Sequence, residues 1–175
     1  SAESLSAFDD RYSLIALCET ARGVHAADRI AAHPRVTAMM WGAEDLVASL
    51  GGTSSRNADG GYRDIARYAR ARILLEAGAR GKAAIDAVHI ALDDAEGLDR
   101  EARDAAASGF RATACIHPNQ VAAIRAAYRP DETTVAWARA VLLAAAAERG
   151  VFRFEGRMID EPVLRHARSV VSRAG

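Results

Sequence analysis

Two short apolar runs, each ending in an acid, most constrain what this chain can fold into. Ser13-Leu14-Ile15-Ala16-Leu17-Cys18 leads into Glu19. Val36-Thr37-Ala38-Met39-Met40-Trp41-Gly42-Ala43 leads into Glu44 and Asp45. Between them lies a helix-patterned segment from Arg22 to Ala32, closed by His33-Pro34. Strand, helix and strand in that order make a parallel βαβ unit. Both strands of such a unit end on one side of the sheet, so Glu19 and Asp45 are expected as neighbours at one rim. Two carboxylates held close repel each other unless a proton or a cation sits between them. This pair is therefore the leading functional clue in the sequence.

The pattern continues downstream. Thr20-Ala21-Arg22-Gly23 predicts a turn, Val24–Ala32 an amphipathic helix, and Asp45–Leu50 one short helical turn. Gly51 to Gly61 is a polar, glycine-rich loop directly after the acids, either a binding loop or a solvated linker. Tyr62 to Ala77 reads as a long helix, with Tyr62, Ile65, Ala66, Ala69, Ile73 and Ala77 at helical spacing. Lys82–Val88 is a third strand, Leu98–Ser108 a helix, and Arg111–Ile116 a fourth strand stopped by His117-Pro118. Asn119–Tyr128 is a helix, and Asp131 caps another that reaches about Arg149. Val151–Phe154 is short and extended, and Glu161–Ala174 is a last helix. Ser1 to Arg11 is polar helix and loop.

Four strand–helix units suit an open doubly wound sheet or part of a (β/α)8 barrel. No G-x-G-x-x-G follows the first strand, which weakens a dinucleotide-binding reading. A full barrel takes about 250 residues, so this chain has the pattern of half of one. Residues 1–150 read as the partial barrel and 151–175 as a C-terminal arm.

Composition excludes several classes. Half of the 175 residues are hydrophobic, enough for a core, and Lys+Arg equals Asp+Glu at 23 each. That balance gives no field for nucleic acid or an anionic membrane. No run approaches the roughly 18 apolar residues of a membrane span, and no signal peptide opens the sequence. Cys18 and Cys115 both lie in buried-looking runs without framework spacing, as expected in a reducing cytoplasm.

Four motifs then occur in order: Glu19-Thr20-Ala21-Arg22-Gly23, Gly42-Ala43-Glu44-Asp45-Leu46, Ile116-His117-Pro118-x-Gln120 and Met158-Ile159-Asp160-x-Pro162. Together they strongly resemble the citrate lyase β-subunit-like proteins of the HpcH/HpaI aldolase superfamily, with malyl-CoA and citramalyl-CoA lyases as relatives. The likeness implies a (β/α)8 barrel of which this chain supplies strands five to eight plus the C-terminal arm. The other four strands would come from residues outside this sequence or from a second copy. The resemblance further implies that Glu19 and Asp45 ligate Mg²⁺, that Glu19 and the Glu44 turn contact substrate, and that Asp160 is a catalytic acid or base. It implies a homotrimer in which Asp160 reaches a neighbouring subunit's site.

Mg²⁺ suits this donor set. It takes octahedral oxygen ligands at about 2.1 Å and usually only one or two protein carboxylates. The implied reaction is cleavage or condensation of a 3-hydroxyacyl thioester, such as a citryl, malyl or citramalyl thioester on CoA or a carrier protein. Its products would be an acetyl thioester and an oxo acid. A non-catalytic assembly module and a Mg²⁺-dependent aldolase of free oxo acids are the alternatives.

Other residues carry two readings each. Asp160 also fits a helix N-cap, ahead of Glu161-Pro162. His117 either lines a CoA channel or shapes its turn. Asp86 is an outer partner of the site or a satisfied core acid. Arg56 meets CoA phosphates or is ordinary surface. His89, Asp93 and Asp94 read as solvated loop. Trp41, Met39, Met40 and Trp137 read as packing.

Overall fold

The computed structural model describes residues 11–148 and 150–174. The expectation for the first ten residues lies outside that range, as does Arg149. By contact density the chain divides into two compact units, one running to Ile124 and one from Arg125.

The first unit opens with the anticipated βαβ. Strand β1 (Leu14–Cys18) lies parallel to β2 (Val36–Trp41), with Cys18 opposite Trp41. The connection is two helices, α1 (Ala21–His25) and α2 (Ala27–Ala32). Helix formation therefore starts three residues earlier than the sequence suggested. Thr20 is the reason, because its hydroxyl accepts the Gly23 N–H at 3.1 Å and caps the first turn. Helix α3 (Ala43–Ser49) begins directly after β2 and carries Glu44 and Asp45 in its first turn. The acids thus sit on a helix start rather than on a strand end.

Helix α4 (Asp64–Ala79), strand β3 (Ala83–Asp86), helix α5 (Ala95–Ser108), strand β4 (Ala112–Thr113) and helix α6 (Asn119–Tyr128) complete the series. All strand pairs are parallel and the order is β1-β2-β3-β4. A doubly wound sheet reverses its strand order at a switch point; these strands simply run in sequence, as in a barrel wall.

One sheet face is covered. Ala16, Met39 and Ala84 align across it, beside Cys18 and Trp41, and all are buried. Helix α4 lays Ala66, Ala69, Ile73 and Ala77 on this face at zero exposure. Ile65, expected on the same side, is exposed. The opposite sheet face stays open: Ile15 is 60% and Leu17 48% exposed, and Leu17 aligns with the half-buried Met40 and Ile85.

The fourth strand is shorter than expected. Ala114 N–H still reaches Asp86 O at 3.0 Å, but the Ile116 N–H is taken by the Gln120 side chain at 3.0 Å. That side-chain bond turns the backbone away from the sheet. Cys115 lies in this turn and is exposed, contrary to the expectation of two buried thiols, whereas Cys18 is buried. Burial pushes the Cys18 thiol up to about 11.

In the second unit, α7 (Glu132–Ala145) is capped by Asp131, whose carboxylate accepts the Thr134 N–H at 2.7 Å. Helix α8 (Glu161–Ala174) packs on it through Ala138, Ala167 and Val170, with Trp137 and Val135 alongside. Between them β5 (Phe152–Phe154) and β6 (Arg157–Ile159) form an antiparallel hairpin that the sequence reading missed in its second half. Its signal was present: Glu155-Gly156 is a two-residue turn with both φ positive, 46° and 80°, between two alternating runs. No helix among the described residues is long and apolar enough to cross a membrane.

Candidate metal and substrate site

The parallel pairing brings the carboxyl ends of β1 and β2 together, and three acids collect at that rim. Glu19 follows β1, while Gly42 links β2 to α3. A methyl group built on Gly42 would stand 3.1 Å from Glu19 Cβ and 3.2 Å from Glu19 Oε2. Glycine here leaves the room that the Glu19 carboxylate occupies, beside the turn carrying Glu44 and Asp45. Ser49 ties the two elements together: its Oγ accepts the Ala21 N–H at 3.3 Å and donates to Leu46 O at 2.7 Å.

The three acids differ in what they touch. Glu44 accepts a hydrogen bond from Ser55 Oγ at 2.6 Å, so its side chain is committed to the loop. Among the described residues, Glu19 and Asp45 have no hydrogen bond or ion pair; Glu19 is half-buried and Asp45 exposed. Nor do three or more His, Cys, Asp or Glu side chains among the described residues gather around one point. Two hard oxygen donors without histidine or cysteine fit Mg²⁺, which keeps most of its waters, and do not fit structural zinc.

Beside this rim lies a dense polar network. Asp86 is a satisfied core acid, 5% exposed. It accepts from Trp41 Nε1 at 2.7 Å, from Arg70 at 3.0 and 2.8 Å, and from the Ala87 N–H at 3.0 Å. Arg70 also reaches Asp104 at 2.6 Å and sits over the Phe110 ring. Burial works against the Arg70 charge, but its bonds to Asp86 hold it more firmly charged than a free guanidinium.

His89 corrects the sequence reading. It is buried rather than solvated, with Nδ1 2.9 Å from Glu101 Oε2. Its Nε2 lies 3.4 Å from Asp94 Oδ2, within ion-pair range but outside hydrogen-bond geometry. Asp94 itself caps α5 through the Gly97 N–H at 2.9 Å.

Arg56 is likewise not a free surface cation. It pairs with Glu101 through its two terminal nitrogens, donates to Gly60 O at 2.9 Å and Tyr62 Oη at 3.1 Å, and stacks over the Tyr62 ring. Tyr62 in turn meets Trp41 edge-on at 5.2 Å. Burial, and then Glu101, push the Tyr62 hydroxyl well above its ordinary value. Burial alone would raise the Glu101 carboxyl, but its bonds to Arg56 and His89 hold it below the usual range. Sequence reading missed Ser55, Tyr62 and Glu101. The Asp59-Gly60 turn signalled a hairpin between Arg56 and Tyr62, but nothing local marks Glu101 as their partner.

His117 is exposed, and its Nδ1 accepts the Asn119 N–H at 3.2 Å, a turn-shaping contact. In the second unit Asp160 caps α8, Oδ1 accepting the Val163 N–H at 3.2 Å.

A singly wound parallel α/β sheet with an acidic rim at its strand ends defines the class. The profile of the HpcH/HpaI aldolase/citrate lyase family matches residues 7–118, and the chain belongs to that family. A citrate lyase subunit beta-like protein of Mycobacterium tuberculosis is 59% identical over 162 residues. That match spans 93% of this chain and 59% of the relative. The mitochondrial citramalyl-CoA lyase of Rattus norvegicus is 41% identical over 142 residues, 78% of this chain and 40% of that enzyme. Among solved structures, the protein CitE of M. tuberculosis, in complex with magnesium, acetoacetate and coenzyme A, superposes with a TM-score of 0.92 at 56% identity. It covers all of this chain and 65% of that one. The chain thus spans about 59% of the length of its M. tuberculosis curated relative.

Proposed function

We propose that this chain forms the C-terminal part, strands five to eight and the C-terminal arm, of a Mg²⁺-dependent (β/α)8 lyase that cleaves or condenses a 3-hydroxyacyl thioester. The open sheet face of Ile15 and Leu17 is the surface that the remaining barrel wall would cover. The observation that carries the catalytic reading is the pair Glu19 and Asp45, brought to one rim by parallel pairing and lacking any protein partner among the described residues. The magnesium and coenzyme A in the CitE structure support the same ion and a CoA thioester.

Glu19 and Asp45 would hold the ion, Glu19 also facing the substrate. Bound there, Mg²⁺ supplies a Lewis acid that stabilises charge developing on a substrate oxygen. The first-turn N–H groups of α3, with no partner inside their own helix, would orient a substrate carboxylate at the Glu44 turn. Bound to Ser55, the Glu44 carboxylate stands aside from the ion. Asp160 would exchange a proton at the thioester end, supplied from the arm of one subunit to its neighbour in a homotrimer. Two free cysteines, one of them exposed, accord with work in the cytoplasm.

The test is thermal unfolding with and without Mg²⁺, then with Mg²⁺ plus acetyl-CoA. Ligand at about 100 times its Kd adds about 2.7 kcal/mol, a Tm rise of about 5–11 °C for a chain this size. The rise should vanish in Asp45→Asn. No rise at millimolar Mg²⁺ in the unsubstituted protein would overturn the metal-site reading.

A further inference from the structure

The loop from Gly51 to Gly61 follows the Asp45 helix and is held at both ends of a continuous polar chain. At one end Ser55 Oγ bonds Glu44, one residue before Asp45. Next to it Arg56 bonds Gly60 O, closing the loop on itself, while Arg63 N–H reaches Ser55 O at 2.8 Å and Asn57 N–H reaches Gly61 O at 2.8 Å. At the other end Arg56 is gripped by Glu101 of α5. Glu101 also bonds His89, which follows β3, and the His89 carbonyl accepts from Gln120 at 2.8 Å. One carboxylate therefore joins the loop after β2 to the segment after β3.

We infer that Glu101 is a positioning residue: by gripping Arg56 it holds the Gly51–Gly61 loop so that Ser55 binds Glu44, leaving Asp45 as the acid of that turn that is free for a cation. This rests on the metal-site reading above. Without the grip, Ser55 leaves with its loop and Glu44 is released beside Asp45. Glu44 carries its charge in either case; what the grip supplies is order, and a carboxylate on a held turn keeps an ion better than the same carboxylate on a mobile one. Arg56 alone does not hold the loop, since its other contacts, Gly60 and Tyr62, belong to the same hairpin.

The experiment compares the unsubstituted chain with Glu101→Gln, with Arg56→Gln as a second break of the same bond and Glu96→Gln as a control on the exposed start of α5. Amide hydrogen exchange at Asn57 and Arg63 reports the loop, and exchange at Met39 reports the sheet. Mg²⁺ affinity is read by calorimetric titration. Both loop-breaking variants should speed exchange at Asn57 and Arg63 about tenfold or more, as removal of a charge-assisted bond shifts local opening, with Met39 unchanged. Both should raise the Mg²⁺ Kd about tenfold, the low end of what outer partners of metal ligands contribute. Unchanged loop exchange would overturn the proposal. So would faster loop exchange with unchanged Mg²⁺ affinity, which would make Glu101 a structural tie alone. Absence of Mg²⁺ binding by the unsubstituted chain would overturn the metal-site reading and the positioning role with it, whereas binding that only the variants lose would uphold both.

Discussion

Two acidic regions lie side by side at the carboxyl ends of this sheet and are built on opposite terms. At the β1–β2 rim, Glu19 and Asp45 have no protein partner among the described residues. At the β2–β3 rim, Asp86 is nearly buried and accepts from Trp41, Arg70 and its own following amide. A fully satisfied buried acid stabilises a fold; acids left unsatisfied at a strand end are available to something outside the chain. Residue type does not separate the two regions. Partners do.

Substitutions should break this contrast in a definite order. Asp86→Ala strands a buried guanidinium and the indole N–H, and should cost about 3–5 kcal/mol, measured by urea unfolding. Trp41→Phe keeps the ring against Tyr62 but removes the bond to Asp86, a loss of about 1–3 kcal/mol in the same assay. Acid should separate the regions next. Glu101 is held below its ordinary carboxyl value by Arg56 and His89, so its contribution is present above the unfolded value of about 4.3 and is lost as pH falls through the folded one. Glu101→Gln should therefore flatten the stability profile below about pH 4.3, while the caps Asp94 and Asp131, also held low by backbone N–H groups, keep their share of the slope. Smallest of all, Glu19→Gln and Asp45→Asn in the absence of metal should change unfolding free energy by no more than about 0.5 kcal/mol. A large loss in either would mean that these acids are structural after all.

Much of the fold was legible because its pattern is local. The apolar runs before Glu19 and Glu44 gave both strands and their shared rim, and Pro118 marked the start of the helix that follows β4. What was missed depends on distance in sequence. His89 reads as loop until Glu101 and Asp94 of the next helix close on it. Arg56 reads as a surface cation until the same Glu101 meets it. Helix starts shifted where a side-chain cap, Thr20, began the turn early. The acids of the candidate site stand out in the sequence by family likeness and by strand polarity, and their role as metal ligands is the proposal made above. The division between committed Glu44 and uncommitted Asp45 was not, because Ser55 must first be folded back onto the helix.

The inward stripe of α4 carries a consequence for variation. Ala66, Ala69 and Ala77 are fully enclosed and present only methyl groups to the sheet, so the helix axis rides close to the strands. Interiors are packed to near-crystalline density; a larger side chain at any of these positions must lift the helix, and Arg70 rides on it. A scan of all substitutions should find these three alanines less replaceable than the far bulkier Leu75, which is 71% exposed on the same helix. Tolerance along α4 should then follow the room beyond each Cβ and ignore the size of the residue already there.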